Sequence, residues 1–167
     1  AEAMRVHSNS VVSFDDGIAL GVGAANNTAA NVLDDYETGT WTPIFRNGGA
    51  SSGSTTQLLN GSPYAYYTKI GRIVHATFQV RKGSDQSLEN VMFCAGLPFT
   101  VNMPTATAVV GGFWVDNSSG DKLGHLVTDD NATYIYFKDI NDVDAALTVD
   151  AWIAGRYIYA QFIYSTD

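Results

Sequence analysis

Oxygen-bearing side chains are concentrated in one short acidic segment near the end of the chain. Three carboxylates and one amide fall within six positions there, at Asp139, Asn141, Asp142 and Asp144. Hard cations such as Ca²⁺ are bound by side chains of this type. The segment lacks the glycine at its sixth position and the glutamate at its twelfth that an EF-hand loop requires. The pattern therefore favours a solvated acidic turn, with a cation site at these four residues as the alternative.

The residue types of most catalytic sites are few and scattered. The three histidines, His7, His75 and His125, stand far apart, with no metal-binding spacing between them. The one cysteine, Cys94, lies in an apolar run, whereas reactive thiols need exposed, electropositive surroundings. No phosphate-binding loop of the Gly-Lys-Ser/Thr type occurs. The sequence thus predicts a non-catalytic protein without a cofactor, and a glycan hydrolase or esterase domain is the enzymatic alternative.

Aromatic side chains offer a different chemistry, the binding of sugars. Half-exposed rings stack on the apolar faces of sugar rings, and tyrosine hydroxyls form hydrogen bonds with sugar hydroxyls. Trp114 and Tyr136 lie near predicted turns, and binding residues concentrate on loops carried by a rigid scaffold. We therefore expect a glycan site that includes these two rings, close to the loops at residues 47–63, 116–122 and 139–144. The alternative is that the rings fill the core or a seam between subunits.

Charge and composition limit the partners and the fold. The net charge is −8 with only nine Lys and Arg residues, so nucleic acid and anionic lipid are not expected as partners. The acidic loops would also repel an anionic polysaccharide, which favours a neutral or cation-bridged glycan. No stretch is apolar and long enough for membrane insertion. Glutamate occurs three times against sixteen glycines, a composition that argues against a helical bundle.

Strands are predicted to carry these side chains. Residues 72–81 alternate between two faces, with Ile73 and His75 on one and Val74 and Ala76 on the other. Other strand-like runs are bounded by Gly, Asn and Asp turns and cover residues 64–68, 91–98, 105–116, 122–127, 133–138 and 152–164. About eight strands without a helix predict a β-sandwich or a barrel.

Four residues are expected to have structural roles. Gly71 is predicted to adopt a positive φ in a tight turn, and Pro98 closes a short apolar strand. Trp41 and Pro43 stand where the chain enters the strand-rich region, and Trp41 is predicted to be a packing anchor. Residues 32–42 are interpreted as a joint, and residues 35–39 within it as turn-rich.

The chain divides by composition into two parts. Residues 1–31 contain very short strand-like runs with few large side chains, followed by a linker rich in Ala and Asn, so they cannot bury a core alone. They are expected to form a short shaft or stalk segment, and residues 32–167 a β-sandwich tip domain.

Three blocks of sequence are distinctive. They are LDDYETGTWTP at residues 33–43, YTKIGRIV at residues 67–74 and GLPF at residues 96–99. In this order they resemble the C-terminal domains of tail fibre and tailspike proteins of tailed bacteriophages. The residues upstream, 2–6 and 19–23, are similar to the shaft repeats of such fibres.

The resemblance implies several properties that the residues alone do not. It implies a homotrimer with a jelly-roll-like antiparallel β-sandwich after a short shaft-like segment, located in the virion at the tip of the tail fibre or tailspike. It also implies attachment to a host surface glycan or another bacterial receptor, together with trimer stabilisation, without catalysis. A purely structural trimerisation cap that binds no receptor is the alternative.

Overall fold

The computed structural model describes residues 4–9, 12–14, 18–19, 32–33, 35–47, 60–83, 92–116, 120–140 and 154–167. These residues form thirteen β-strands, and no helix occurs among them. The described part of the chain is therefore all-β, as the composition predicted.

Two small antiparallel pairs lie at the start of the chain. Strand β1 (Met4–Val6) pairs with β2 (Val12–Phe14), and β3 (Ile18–Ala19) pairs with β4 (Val32–Leu33). The short strands expected near the N-terminus are thus present. The linker predicted at residues 24–31 lies outside the described residues. Because β4 follows the predicted boundary at residue 31, the N-terminal segment pairs with the first residues of the predicted tip domain.

The remaining nine strands form one antiparallel sheet. Their bounds are Tyr36–Thr40 for β5, Ile44–Asn47 for β6, Tyr64–Ile70 for β7, Ile73–Arg81 for β8, Met92–Ala95 for β9, Thr107–Val115 for β10, Lys122–Asp129 for β11, Tyr134–Asp139 for β12 and Tyr157–Ser165 for β13. In the order in which they pair, they are β5, β7, β8, β13, β10, β11, β12, β9 and β6.

The sheet is strongly curled because its two edge strands are neighbours in sequence. Thr40 ends β5 at one edge, and Ile44 begins β6 at the other. A chain can span at most about 14 Å over four residues. A flat sheet of nine strands would place its edges about 38 Å apart. The sheet therefore curls in the manner of a half-barrel, and its edges approach each other where residues 41–43 connect them.

The core fills the inside of the curled sheet. In β8 the buried residues alternate with more exposed ones, which confirms the period of two expected from the sequence. Aromatic rings contact one another at the centre, where Phe78 lies edge-on to Phe45, Trp41 and Phe162. Residues on the outer face of the sheet remain available to solvent or to a partner.

The interpretation of residues 35–39 as a turn-rich stretch is wrong, because β5 covers most of them. Glu37 is in register with Lys69, and Gly39 with Tyr67. A Cβ atom at Gly39 would lie within 2.7 Å of the outer end of the Tyr67 ring, so a larger residue there would have to displace that ring. Pairing with β7 thus overrides the local preference of Asp, Thr and Gly for turns.

Candidate functional site

A shallow, open groove crosses the outer face of the sheet. Its volume is about 710 Å³, within the range of small-molecule sites. It is lined by residues of β7, β8, β13, β10 and β11, together with Ile140 just after β12. Trp114, one of the two rings predicted to bind a ligand, lies in this groove.

One row of side chains runs along the groove at right angles to the strands. Its members are direct cross-strand partners on five successive strands, namely Tyr64, Gln79, Tyr159, Trp114 and Leu123. Partners in a sheet project from the same face. The row is about 19 Å long, because it covers four strand spacings.

The centre of the row is an aromatic stack. The rings of Trp114 and Tyr159 are 4.9 Å apart between centroids and inclined by 24°. Tyr157, the next residue on the same face of β13, lies 5.9 Å from Tyr159, and the Arg81 guanidinium lies over the Tyr157 ring. These contacts extend the Trp114–Tyr159 stack into a continuous aromatic cluster, and the stack itself is the aromatic platform of the groove.

Two adjacent glycines of β10 have different roles beside this platform. A Cβ atom at Gly111 would lie 2.2 Å from the carbonyl oxygen of Gln161, so the close approach of β10 and β13 requires a glycine. A Cβ atom at Gly112 would make only an ordinary contact, 3.5 Å from the Gly124 carbonyl oxygen. The missing side chain at Gly112 therefore serves to keep the groove open. Next to these glycines, the register between β10 and β11 shifts between Val109 and Gly111, as at a β-bulge.

The groove lining is mainly apolar, with a few polar side chains and no charged one among the described residues. None of the described residues that line it is an Asp, Glu, Lys, Arg or His. Its hydrogen-bonding groups are the carboxamides of Gln79 and Gln161 and the hydroxyls of Thr77, Tyr64 and Tyr66. The groove therefore offers donors and acceptors to a ligand without a charged side chain among its described lining residues, although the whole chain carries a charge of −8.

Tyr136, the second ring predicted to bind a ligand, lies elsewhere on the sheet. It is on β12, where its ring contacts Phe93 and its hydroxyl donates a hydrogen bond to Asp129 Oδ1 at 3.3 Å. It is not among the residues that line the groove. The structure thus separates Tyr136 from Trp114, and a ligand-binding role for either ring stays a prediction.

Asp129 is the centre of this second cluster. Its carboxylate also accepts hydrogen bonds from the hydroxyls of Tyr134 (3.1 Å) and Thr107 (2.7 Å). Partial burial, together with the nearby Asp129 carboxylate, raises the pKa of both Tyr134 and Tyr136. These hydroxyls are already engaged within the protein, which indicates a structural cluster.

The proposed cation ligands are described only in part. Asp139 is half-buried at the end of β12, in register with Gly124, whereas Asn141, Asp142 and Asp144 lie outside the described residues. Within the described ranges, no group of three or more His, Cys, Asp or Glu side chains is placed to hold a metal ion. The cation site therefore stays a prediction.

Cys94 is fully buried on β9, and burial raises the pKa of its thiol. A thiol in such an environment is a poor nucleophile.

The residues expected to be structural lie in or beside the core. Trp41 is 8% exposed, and its indole nitrogen donates a hydrogen bond to the Thr77 carbonyl oxygen at 3.3 Å. Pro43 is buried and Pro98 is half-buried. Gly71 has a φ of 54° in the turn between β7 and β8.

The three distinctive sequence blocks meet at one place, which sequence reasoning did not anticipate. The ammonium group of Lys69 forms an ion pair with Asp35, and the Tyr67 hydroxyl donates a hydrogen bond to Glu37. The Phe99 ring lies edge-on to Tyr67 at 5.3 Å, and the Lys69 ammonium lies 5.6 Å from its centroid. We call these five residues the motif junction. The blocks therefore pack against one another, and none of these five residues lines the groove, which indicates a structural role.

Comparisons with known proteins do not assign this chain to a family. No protein-family model, curated protein or solved structure matches this chain. Among the residues that the structure describes, no helix is long and apolar enough to cross a membrane.

Proposed function

We propose that this chain is the C-terminal tip domain of a tail fibre or tailspike protein of a tailed bacteriophage. In this role it attaches the virion to a glycan on the surface of the host cell and stabilises the fibre trimer, without catalysis. The observation that carries the proposal is the Trp114–Tyr159 stack in an open, uncharged groove. The order of the three sequence blocks and the curled antiparallel sheet are consistent with it.

A glycan suits this groove for physical reasons. Aromatic faces bind the apolar faces of sugar rings, and carboxamides such as those of Gln79 and Gln161 both donate and accept hydrogen bonds. A groove that is open to solvent buries only part of a ligand, so the affinity of one site is expected to be weak. Several copies on one assembly would compensate by multivalent binding.

The trimer is proposed from a second feature of the outer face. Ile70 and Ile73 are paired across the β7–β8 hairpin, and Ile163 lies on the same face of β13. About half of each side chain is exposed. Exposed aliphatic patches of this kind mark contacts between proteins. We propose that a second copy of the chain covers this patch in a homotrimer in which each curled sheet is packed as a jelly-roll-like sandwich.

Adsorption to bacteria tests the attachment function. The purified chain, labelled with a fluorophore, is mixed with a panel of bacterial strains, and the fraction that sediments with the cells is measured. The expected result is adsorption to a subset of strains that is abolished when periodate cleaves the vicinal diols of their surface glycans. Light scattering on the same sample is expected to give the mass of three chains. Adsorption that survives periodate would contradict a glycan receptor.

Two alternative functions predict other outcomes. A trimer that adsorbs to no strain would favour a purely structural cap. Release of reducing sugars from adsorbed cells would favour a glycan hydrolase. Glycoside hydrolysis requires two carboxyl groups flanking the scissile bond, and no described residue of the groove lining carries one, so the groove offers no support for that alternative.

A further inference from the structure

We infer that the groove binds an uncharged oligosaccharide of about three or four sugar units, extended across the strands along the row from Tyr64 to Leu123. This inference rests on the proposed attachment function and assigns the ligand class and its orientation. It follows from three features of the groove: its length, its charge and the distribution of its polar groups.

The length of the row favours an oligosaccharide over a monosaccharide as the ligand. Tyr64 and the Trp114–Tyr159 stack are both aromatic, and Tyr64 is separated from Trp114 by three strand spacings, about 14 Å. A pyranose ring is about as wide as one strand spacing. A monosaccharide can therefore contact only one end of the row, whereas a short oligosaccharide can stack on both aromatic ends at once.

The described residues of the groove lining carry no charge, which favours a neutral ligand. A buried or half-buried anionic group on a ligand requires a cation or a set of charged donors. None of the described lining residues is a Lys, Arg or His, and the chain as a whole is acidic. An anionic glycan would therefore find no cationic partner among the described lining residues, and the overall field would repel it.

Two carboxamides lie in the row or directly beside it. Gln79 is in the row itself, between Tyr64 and Tyr159, and Gln161 is two residues along β13 from Tyr159 on the same face. Because each carboxamide can donate two hydrogen bonds and accept two, the pair can bind the hydroxyls of a central sugar. Gly112, the register partner of Gln161, leaves room for that sugar.

Two tyrosines provide a matched test of the orientation. Tyr64 and Tyr36 have the same side chain and are both 64% exposed, but only Tyr64 lines the groove. Binding of the full-length chain to a microarray of neutral and anionic bacterial oligosaccharides is measured first. The affinities of the neutral ligands that bind are then measured by titration calorimetry for the wild type and for the Trp114→Ala, Tyr64→Ala and Tyr36→Ala variants.

The expected pattern has four parts. Neutral oligosaccharides bind, and their affinity rises with chain length until the row is covered. The affinity changes by less than about twofold between low and high salt, because no ion pair is screened. Trp114→Ala weakens binding about tenfold or more, since aromatic rings carry the largest contact area. Tyr64→Ala weakens binding of the longer oligosaccharides but not of monosaccharides, and Tyr36→Ala changes neither.

Several results would overturn this inference. Binding only of anionic oligosaccharides, a steep dependence on salt, or equal effects of Tyr64→Ala and Tyr36→Ala would each exclude it. If the wild type binds no sugar and the Trp114→Ala and Tyr64→Ala variants dissociate from trimers to monomers, the groove is instead a contact surface between subunits. Adsorption to cells that is unchanged in both groove variants would overturn the groove assignment while leaving the attachment function intact. Sugar binding in the groove without adsorption to any strain would contradict attachment alone.

Discussion

The ammonium group of Lys69 on β7 is buried and forms an ion pair with Asp35, the residue that precedes β5. The backbone repeats this connection, because the Gly71 amide donates a hydrogen bond to the Asp35 carbonyl oxygen at 2.8 Å. Asp35 therefore joins the first edge strand of the sheet to its neighbour through both its side chain and its backbone. This relationship and three others lead to testable predictions.

Removing the Asp35 charge is expected to destabilise the sheet edge. Asp35→Asn leaves the buried Lys69 ammonium without its carboxylate, which is costly in a poorly solvated position. The Asp35 side chain is itself partly exposed, so the loss of unfolding free energy is expected to be about 1–2 kcal/mol. Urea denaturation measures it. The double variant Asp35→Asn/Lys69→Met should recover much of the loss, and a double variant no more stable than Asp35→Asn would argue against this explanation.

Trp41 is expected to be essential for stability. It packs edge-on against Phe78 and Phe162, and a buried Trp→Ala change costs about 3–5 kcal/mol. Trp41→Ala should therefore lower the melting temperature markedly, as followed by circular dichroism. Trp114→Ala is the matched control, because its half-exposed ring contributes less to the core. An unchanged melting temperature in Trp41→Ala, combined with lost receptor binding, would show that Trp41 is a ligand contact.

The two adjacent glycines of β10 provide a second matched pair. Gly111→Ala places a methyl group against the backbone of β13, which must shift, and is expected to cost about 1–3 kcal/mol. Gly112→Ala meets only an ordinary contact, so its change in unfolding free energy should stay within about 0.5 kcal/mol. Denaturant titrations of both variants measure the difference. Equal stability of the two variants would contradict the close approach of β10 and β13.

Alkaline pH is expected to destabilise the cluster around Asp129. The pKa values of Tyr134 and Tyr136 are raised above the ordinary 10.0 in the folded protein, first through burial. The unfolded chain therefore loses these protons at lower pH than the folded chain, so their contribution to stability is complete below pH 10.0 and declines as pH rises through the folded pKa values. The melting temperature measured against pH checks this. The double variant Tyr134→Phe/Tyr136→Phe should show a shallower alkaline decline, and a decline of unchanged slope would exclude these two tyrosines as its cause.

Local patterns in the sequence predicted the features that depend on neighbouring residues. The alternation of β8 follows from strand geometry, in which successive side chains point to opposite faces, and the structure confirms it. For the same reason Tyr157 and Tyr159 share one face of β13, as do Tyr134 and Tyr136 on β12. The all-β class followed from composition, because glutamate is rare and glycine is frequent. None of these inferences required knowledge of which strands pair.

The tertiary structure decided everything that depends on pairing between distant strands. The row from Tyr64 to Leu123 joins residues of five strands, and no local pattern specifies their register. The same reason explains why residues 35–39 form an edge strand rather than a turn: the long-range hydrogen bonds to β7 outweigh the local turn preference. It also explains why Trp114 and Tyr136, both near predicted turns, lie at separate sites. Side-chain alternation is local to a strand, whereas the register that assembles a groove is set by the packing of the whole sheet.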